Sequence, residues 1–118
     1  MKEFITKDQW EHKQFSTGMM RDTNKGKPRF DLVHPLGIPY EEQRFTRLAK
    51  LLGRWAEKYS ERNWEKAETP AELDRFMESA QRHFHQRYFW EKDEDHMAAV
   101  IFNMIGAEMV KYKMSFIF

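Results

Sequence analysis

Two segments that lie close in sequence, Arg82-His83 and Asp93-Glu94-Asp95-His96, hold three carboxylates and two imidazoles between them. Acidic oxygens and ring nitrogens held close together are what a divalent-metal or phosphate site needs. Asp95 is the strongest single candidate and Glu94 stands beside it. A run of acids before a helix is also favoured by the helix dipole alone, so both explanations stay open. His83 sits at the margin of an apolar stripe, where one hydrogen bond would satisfy it. His85 and His96 are close enough in sequence that the three could instead cluster once their helices pack antiparallel.

Other residues could serve the same chemistry. Glu57 and Glu61 are four apart, the helical spacing at which two carboxylates share a cation, although Glu57 pairs equally well with Arg54 or Lys58. Arg21, Lys25, Lys27 and Arg29 surround Gly26 and Pro28, so that loop can offer guanidinium forks and backbone N–H groups to an anion. It lacks the residue order of a P-loop. Lys58, Tyr59, Arg62, Asn63 and Trp64 add an aromatic that could stack on a base and an amide that could read its edge; Tyr59 and Trp64 could equally be core plugs. Asp95, Ala99, Asn103 and Gly106 recur at spacings of four, four and three, small residues between polar ones, where a ligand or a neighbouring helix could approach closely.

The elements that must position these groups are helical. Phe45, Leu48, Leu51, Leu52, Trp55 and Tyr59 form one apolar stripe and predict a helix from about Tyr40 that ends before Asn63. Thr69-Pro70-Ala71-Glu72 predicts the next start: a cap, a proline suited to the first helical position and a glutamate that closes a capping box. That helix carries Leu73, Phe76, Met77, Ala80, Phe84 and Tyr88 and should end near Trp90. A third should start at about Asp93, with Asp93 as its cap, and run to about Tyr112. Residues 1–39 hold three of the five glycines and three of the four prolines, which predicts an arm of turns with at most a short helix near its start. Alternating strand patterns are absent outside residues 114–118, where four of the five side chains are apolar.

A chain of 118 residues should bury roughly two-thirds of its unfolded surface around one core. The expected fold is all-α: a single domain at 1–118, made of an arm (1–39), a core of three main helices (40–113) and an apolar tail (114–118). Three helices would leave the site half-walled, so a homo-oligomer is expected, with Phe116-Ile117-Phe118 as a candidate contact. Lys and Arg number 20 against 19 Asp and Glu, so no long-range field attracts duplex nucleic acid. The absence of cysteine excludes disulfides, thiol nucleophiles and thiolate-bound zinc. With no signal-peptide pattern and no apolar run that would cross a membrane, a soluble, cytoplasmic protein is expected.

Four blocks in order carry a resemblance: Arg21-Asp22-Thr23 through Gly26-Lys27-Pro28-Arg29-Phe30-Asp31-Leu32; Lys58-Tyr59 with Arg62-Asn63-Trp64; Ser79 with Arg82-His83; and Glu94-Asp95-His96 with Ala98-Ala99 and Phe102-Asn103. Over residues 18 to 110 the chain resembles the phage-encoded dATP/dGTP diphosphohydrolase family, which looks related to the MazG-like all-α nucleotide pyrophosphohydrolases. Relatives carry glycines where this chain has Trp55 and Ser60. The resemblance implies Mg²⁺- or Mn²⁺-dependent hydrolysis of a purine deoxynucleoside triphosphate to monophosphate and pyrophosphate, in the cytoplasm of an infected host if the protein is phage-encoded. Carried over, Glu94 and Asp95 would be metal ligands or base, with His83 and His96 alongside and Glu57 and Glu61 as further ligands. Arg21, Lys27, Arg29, Lys58 and Arg82 would meet phosphates, and Asn63, Trp64 and Asn103 the sugar or base. The alternative function is a protein that sequesters a nucleotide or cyclic nucleotide without hydrolysing it; a third is a helical interaction module.

Overall fold

A computed structural model describes residues 12–116. The chain divides into two compact units, Met1–Pro35 and Leu36–Phe118.

The first unit contains a hairpin. Strand β1 (His12–Gln14) pairs antiparallel with β2 (Met20–Asp22), with His12 opposite Asp22 and Gln14 opposite Met20. The loop closes through Phe15 N–H to Met19 O at 2.8 Å, with Gly18 at φ 92°, a region that glycine enters without penalty. This corrects the expectation of no strands before the tail. Strands this short have no apolar alternation to reveal them; loop closure and the His12–Asp22 contact at 3.2 Å define them instead. The suggested short helix near the chain start falls largely outside the described residues.

The second unit holds three helices: α1 (Arg44–Tyr59), α2 (Pro70–Tyr88) and α3 (His96–Met114). The mostly helical architecture is therefore as the apolar stripes predict. Helix α1 stops where Ser60 adopts φ 116° and Arg62 φ 57°. A 3₁₀ turn, Asn63–Lys66, follows. Lys113 of α3 fixes that turn by donating its ammonium to the backbone carbonyls of Ala67, at 3.1 Å, and of Glu65.

Helix α2 starts as its residues dictate. Thr69 Oγ1 accepts from Glu72 N–H at 3.3 Å, and Glu72 Oε1 accepts from Thr69 N–H at 3.2 Å, so both arms of the capping box form. The backbone N–H of Glu68 also donates to Glu72 and, with Thr69, holds its carboxyl below the usual range. A depressed carboxylate stabilises the fold above its unfolded pKa, and that contribution disappears as pH falls through the lower folded value. Thr69→Ala should cost about 1 kcal/mol at neutral pH. Urea midpoints should show Glu72→Gln losing less stability than wild type on acidification.

Helix α3 is apolar around most of its circumference, as expected of a central helix. Its Ala98, Ala99, Phe102, Gly106, Ala107 and Val110 are buried. Helix α2 runs antiparallel to it, bringing Phe76 to Gly106 and His83 to His96. Helix α1 runs parallel, bringing Arg47 to Asp95 and Trp55 to Phe102. A Cβ on Gly106 would lie 2.5 Å from the Phe76 ring, so this glycine sets how closely α2 and α3 approach. The small-residue stripe thus serves a neighbouring helix. Asn103 is buried and donates its amide to Ala99 O at 2.8 Å within its own helix.

Three boundaries differ from expectation. Helix α1 begins at Arg44 rather than near Tyr40, because extended Gln43 separates it from a 3₁₀ turn at Tyr40–Glu42. Asp95, not Asp93, caps α3: its Oδ1 accepts from Ala98 N–H at 3.0 Å. Asp93 is drawn to His96, and Arg47 holds the second oxygen of Asp95 at 2.8 Å, so the cap falls two residues later. Helix α3 also continues through Met114, so that part of the tail is helical rather than strand. Ile117 and Phe118 lie outside the described residues.

Candidate active site

At the end of the bundle where α2 finishes and α3 begins, three side chains form a chain of hydrogen bonds. His96 is buried and its Nε2 lies 2.7 Å from Asp93 Oδ1. A carboxylate only accepts, so Nε2 carries the proton and Nδ1 of neutral His96 holds a lone pair. That Nδ1 lies 2.8 Å from Nδ1 of His83. One proton fills the gap when His83 donates it, which leaves His83 Nε2 bare. Burial, then the charge of Arg82, push the His83 imidazole below its ordinary pKa, which favours its neutral form. The hydrogen bond from His96 holds Asp93 below the usual carboxylate range.

Glu94 lies beside this chain. His83, Glu94 and His96 each offer a ligand atom within 4.8 Å of the others, and Glu91, Asp93 and His96 form a second such set. Two imidazoles with a carboxylate are donors that suit a divalent ion, so these residues fit a metal. Asp95 is adjacent, but one of its oxygens caps α3 and the other pairs with Arg47. Glu57 and Glu61 belong to neither set. Because α1 ends at Tyr59, Glu61 falls in the following turn and the two do not share a helical face.

About two turns from His83 along α2, roughly 10 Å by the helical rise, Phe76 faces a cleft of about 910 Å³. Its lining includes Trp55, Tyr59, Asn63, Trp64 and Phe102. The Phe102 ring is its hub, meeting Trp55, Trp64 and Phe76 edge-on with centroids 4.6, 5.5 and 6.0 Å away. Arg62, Arg75, Glu61 and Glu72 bring charge to the same lining. A concavity of this size, whose lining joins five aromatic rings to a rim of polar and charged side chains, can take a small planar ligand.

The remaining candidates are spread out. Lys58 is exposed, its ammonium 5.0 Å from the Tyr59 ring centroid. Arg82 is exposed and reaches Glu78 at 3.3 Å. In the first unit, Arg21 and Lys27 line a depression of about 630 Å³ together with Lys13 and Asp22. Arg29 is not among its lining residues; it forms a two-pronged pair with Asp31, at 2.8 and 2.6 Å.

Sequence reasoning overlooked Arg47, which ties α1 to the start of α3 and also donates to Glu42 O at 2.8 Å. Its place beside Leu48 on the inner stripe of α1 was the available signal, since an arginine there needs a buried partner. Asp93, a cap by its sequence position, instead bonds His96.

The family described as dATP/dGTP diphosphohydrolase, N-terminal, matches residues 17–115. No curated protein and no solved structure matches the chain. The matched span takes in the hairpin's second strand, the aromatic cleft and the histidine–carboxylate end of the bundle, and the chain belongs to the dATP/dGTP diphosphohydrolase N-terminal family.

Proposed function

We propose that the protein hydrolyses purine deoxynucleoside triphosphates, dGTP and dATP, to the monophosphate and pyrophosphate. The observation that carries this reading is that α2 and α3 present both an aromatic cleft and a histidine–carboxylate group two helical turns away. In this reading Trp64 and Tyr59 stack on the purine, Asn63 meets its edge, and the phosphates extend along α2 towards His83. A divalent ion, Mg²⁺ or Mn²⁺, beside Glu94 would neutralise phosphate oxygens and acidify the attacking water. Glu94 accepts the proton of that water while its oxygen attacks the α-phosphorus. The bond from that phosphorus to the bridging oxygen then breaks and pyrophosphate leaves. Arg82, whose contacts are all solvent-exposed, is free to turn towards the departing charge. Arg21 and Lys27 form an anion-attracting pair in the first unit. The exposed Ile105 and Tyr112 of α3 suit a second copy of the chain, in keeping with the expected homo-oligomer.

Incubation with each of the four deoxynucleoside triphosphates plus Mg²⁺ or Mn²⁺ tests the proposal. Pyrophosphate and monophosphate should appear in equal amounts from dGTP and dATP. Recovery of intact nucleotide, bound one to one without metal, would instead establish the sequestering alternative. That alternative is favoured by one observation: Glu57, Glu61 and Asp95 lie outside both candidate metal sets.

A further inference from the structure

We propose that the ion at this site is bound by nitrogen as well as oxygen, through Nδ1 of His83, Nδ1 of His96 and the Glu94 carboxylate, and that the centre therefore selects Mn²⁺, Co²⁺ or Zn²⁺ over Mg²⁺. This deepens the hydrolase reading and rests on it for the site's purpose, not for its existence.

Three features support the assignment. First, the spacing is suitable. At metal–nitrogen bonds of about 2.1 Å, two nitrogens on neighbouring corners of an octahedron lie about 3.0 Å apart. The two Nδ1 atoms are 2.8 Å apart, so a small rotation of half-buried His83 admits an ion where the shared proton now sits. No net proton is lost, because His83 carries its proton on Nε2 instead of Nδ1.

Second, the supporting contact is already made. Asp93 Oδ1 holds Nε2–H of His96 at 2.7 Å, which fixes the tautomer that turns the Nδ1 lone pair towards His83. A carboxylate behind a histidine is the usual arrangement for a metal-bound imidazole, and it makes the ring a better donor. His96 is 2% exposed, so its ring is held in place before any ion arrives.

Third, the donor set discriminates. Mg²⁺ prefers oxygen and retains its waters, whereas imidazole suits later divalent ions, with Mn²⁺ accepting both. Glu94 is exposed, leaving the ion's outward positions open to water and phosphate oxygens.

The test reads binding rather than turnover. The full chain is titrated with Co²⁺ while the visible absorption of the ion is followed, and by calorimetry with Mn²⁺ and Mg²⁺. One Co²⁺ per chain should bind, with Mg²⁺ at least tenfold weaker. His83→Ala and Glu94→Gln should each weaken Co²⁺ binding at least tenfold. Asp93→Asn should weaken it by about 10- to 100-fold while leaving the spectrum of the saturated complex unchanged, since it acts through His96. Circular dichroism confirms that each variant is folded. Co²⁺ affinity unchanged in His83→Ala, or Mg²⁺ binding as tightly as Co²⁺, overturns the proposal. Full Mg²⁺-supported hydrolysis in His83→Ala would overturn the nitrogen ligands and leave the hydrolase intact. Tight Co²⁺ binding at these residues without any turnover would do the reverse.

Discussion

Phe102→Ala should destabilise the protein by about 3–5 kcal/mol, the usual cost of removing a buried aromatic ring. Phe102 is 7% exposed and its ring edge-packs against Trp55, Trp64 and Phe76, which come from α1, the turn after it, and α2. One truncation therefore loosens three elements at once, and the surrounding rings cannot collapse into the void without giving up their own contacts. Urea unfolding followed by tryptophan emission reads both effects, because two of the three partners are tryptophans. The same change should weaken nucleotide binding, since Phe102 lines the cleft. Phe102→Leu fills most of the volume and should recover a large part of the stability. A loss below 1 kcal/mol for Phe102→Ala would mean that the ring is not the hub of the unit.

Glu94→Gln should lower kcat by about 100-fold or more, with the fold intact. A positioned proton acceptor contributes on that order. The amide keeps the size of the side chain but neither binds a cation well nor takes a proton. Glu94 is exposed, and the backbone turn around it is held by Asp93, His96 and the Asp95 cap rather than by its own carboxylate. Unchanged thermal unfolding alongside lost turnover is therefore the expected combination. Glu57→Gln makes an informative control: Glu57 is solvent-exposed on α1 and belongs to neither candidate metal set, so its turnover should match wild type.

How much of this was legible depends on how local each signal is. Thr69, Pro70 and Glu72 specify the start of α2 among themselves, and the capping box forms as read. The apolar stripe of α1 is likewise a property of a few turns of one helix. The start of α3 is different. Asp93 and Asp95 are equally good caps in isolation, and the choice is made by Arg47, 48 residues away in sequence, and by the buried imidazole of His96. The stripe from Ala99 to Gly106 announced close approach, but whether a ligand or a helix approached depended on where Phe76 fell. The hairpin at His12–Gln14 was illegible because neither strand buries an alternating face. For the candidate site, residue types were the readable part. Asn63 and Trp64 stood out, yet Trp55 and Phe76, which complete their cleft, look like ordinary core residues until the helices are packed. Glu57 and Glu61 pair only if the first helix runs on past Glu61, and it stops at Tyr59.

The central claim is that water attacks the α-phosphorus of a purine deoxynucleoside triphosphate. Hydrolysis of dGTP in ¹⁸O-labelled water, with the products separated and weighed by mass spectrometry, tests it most directly. The account predicts dGMP carrying one ¹⁸O and pyrophosphate carrying none. Label in pyrophosphate, release of orthophosphate with dGDP, or dGTP recovered unchanged with every divalent ion would contradict it.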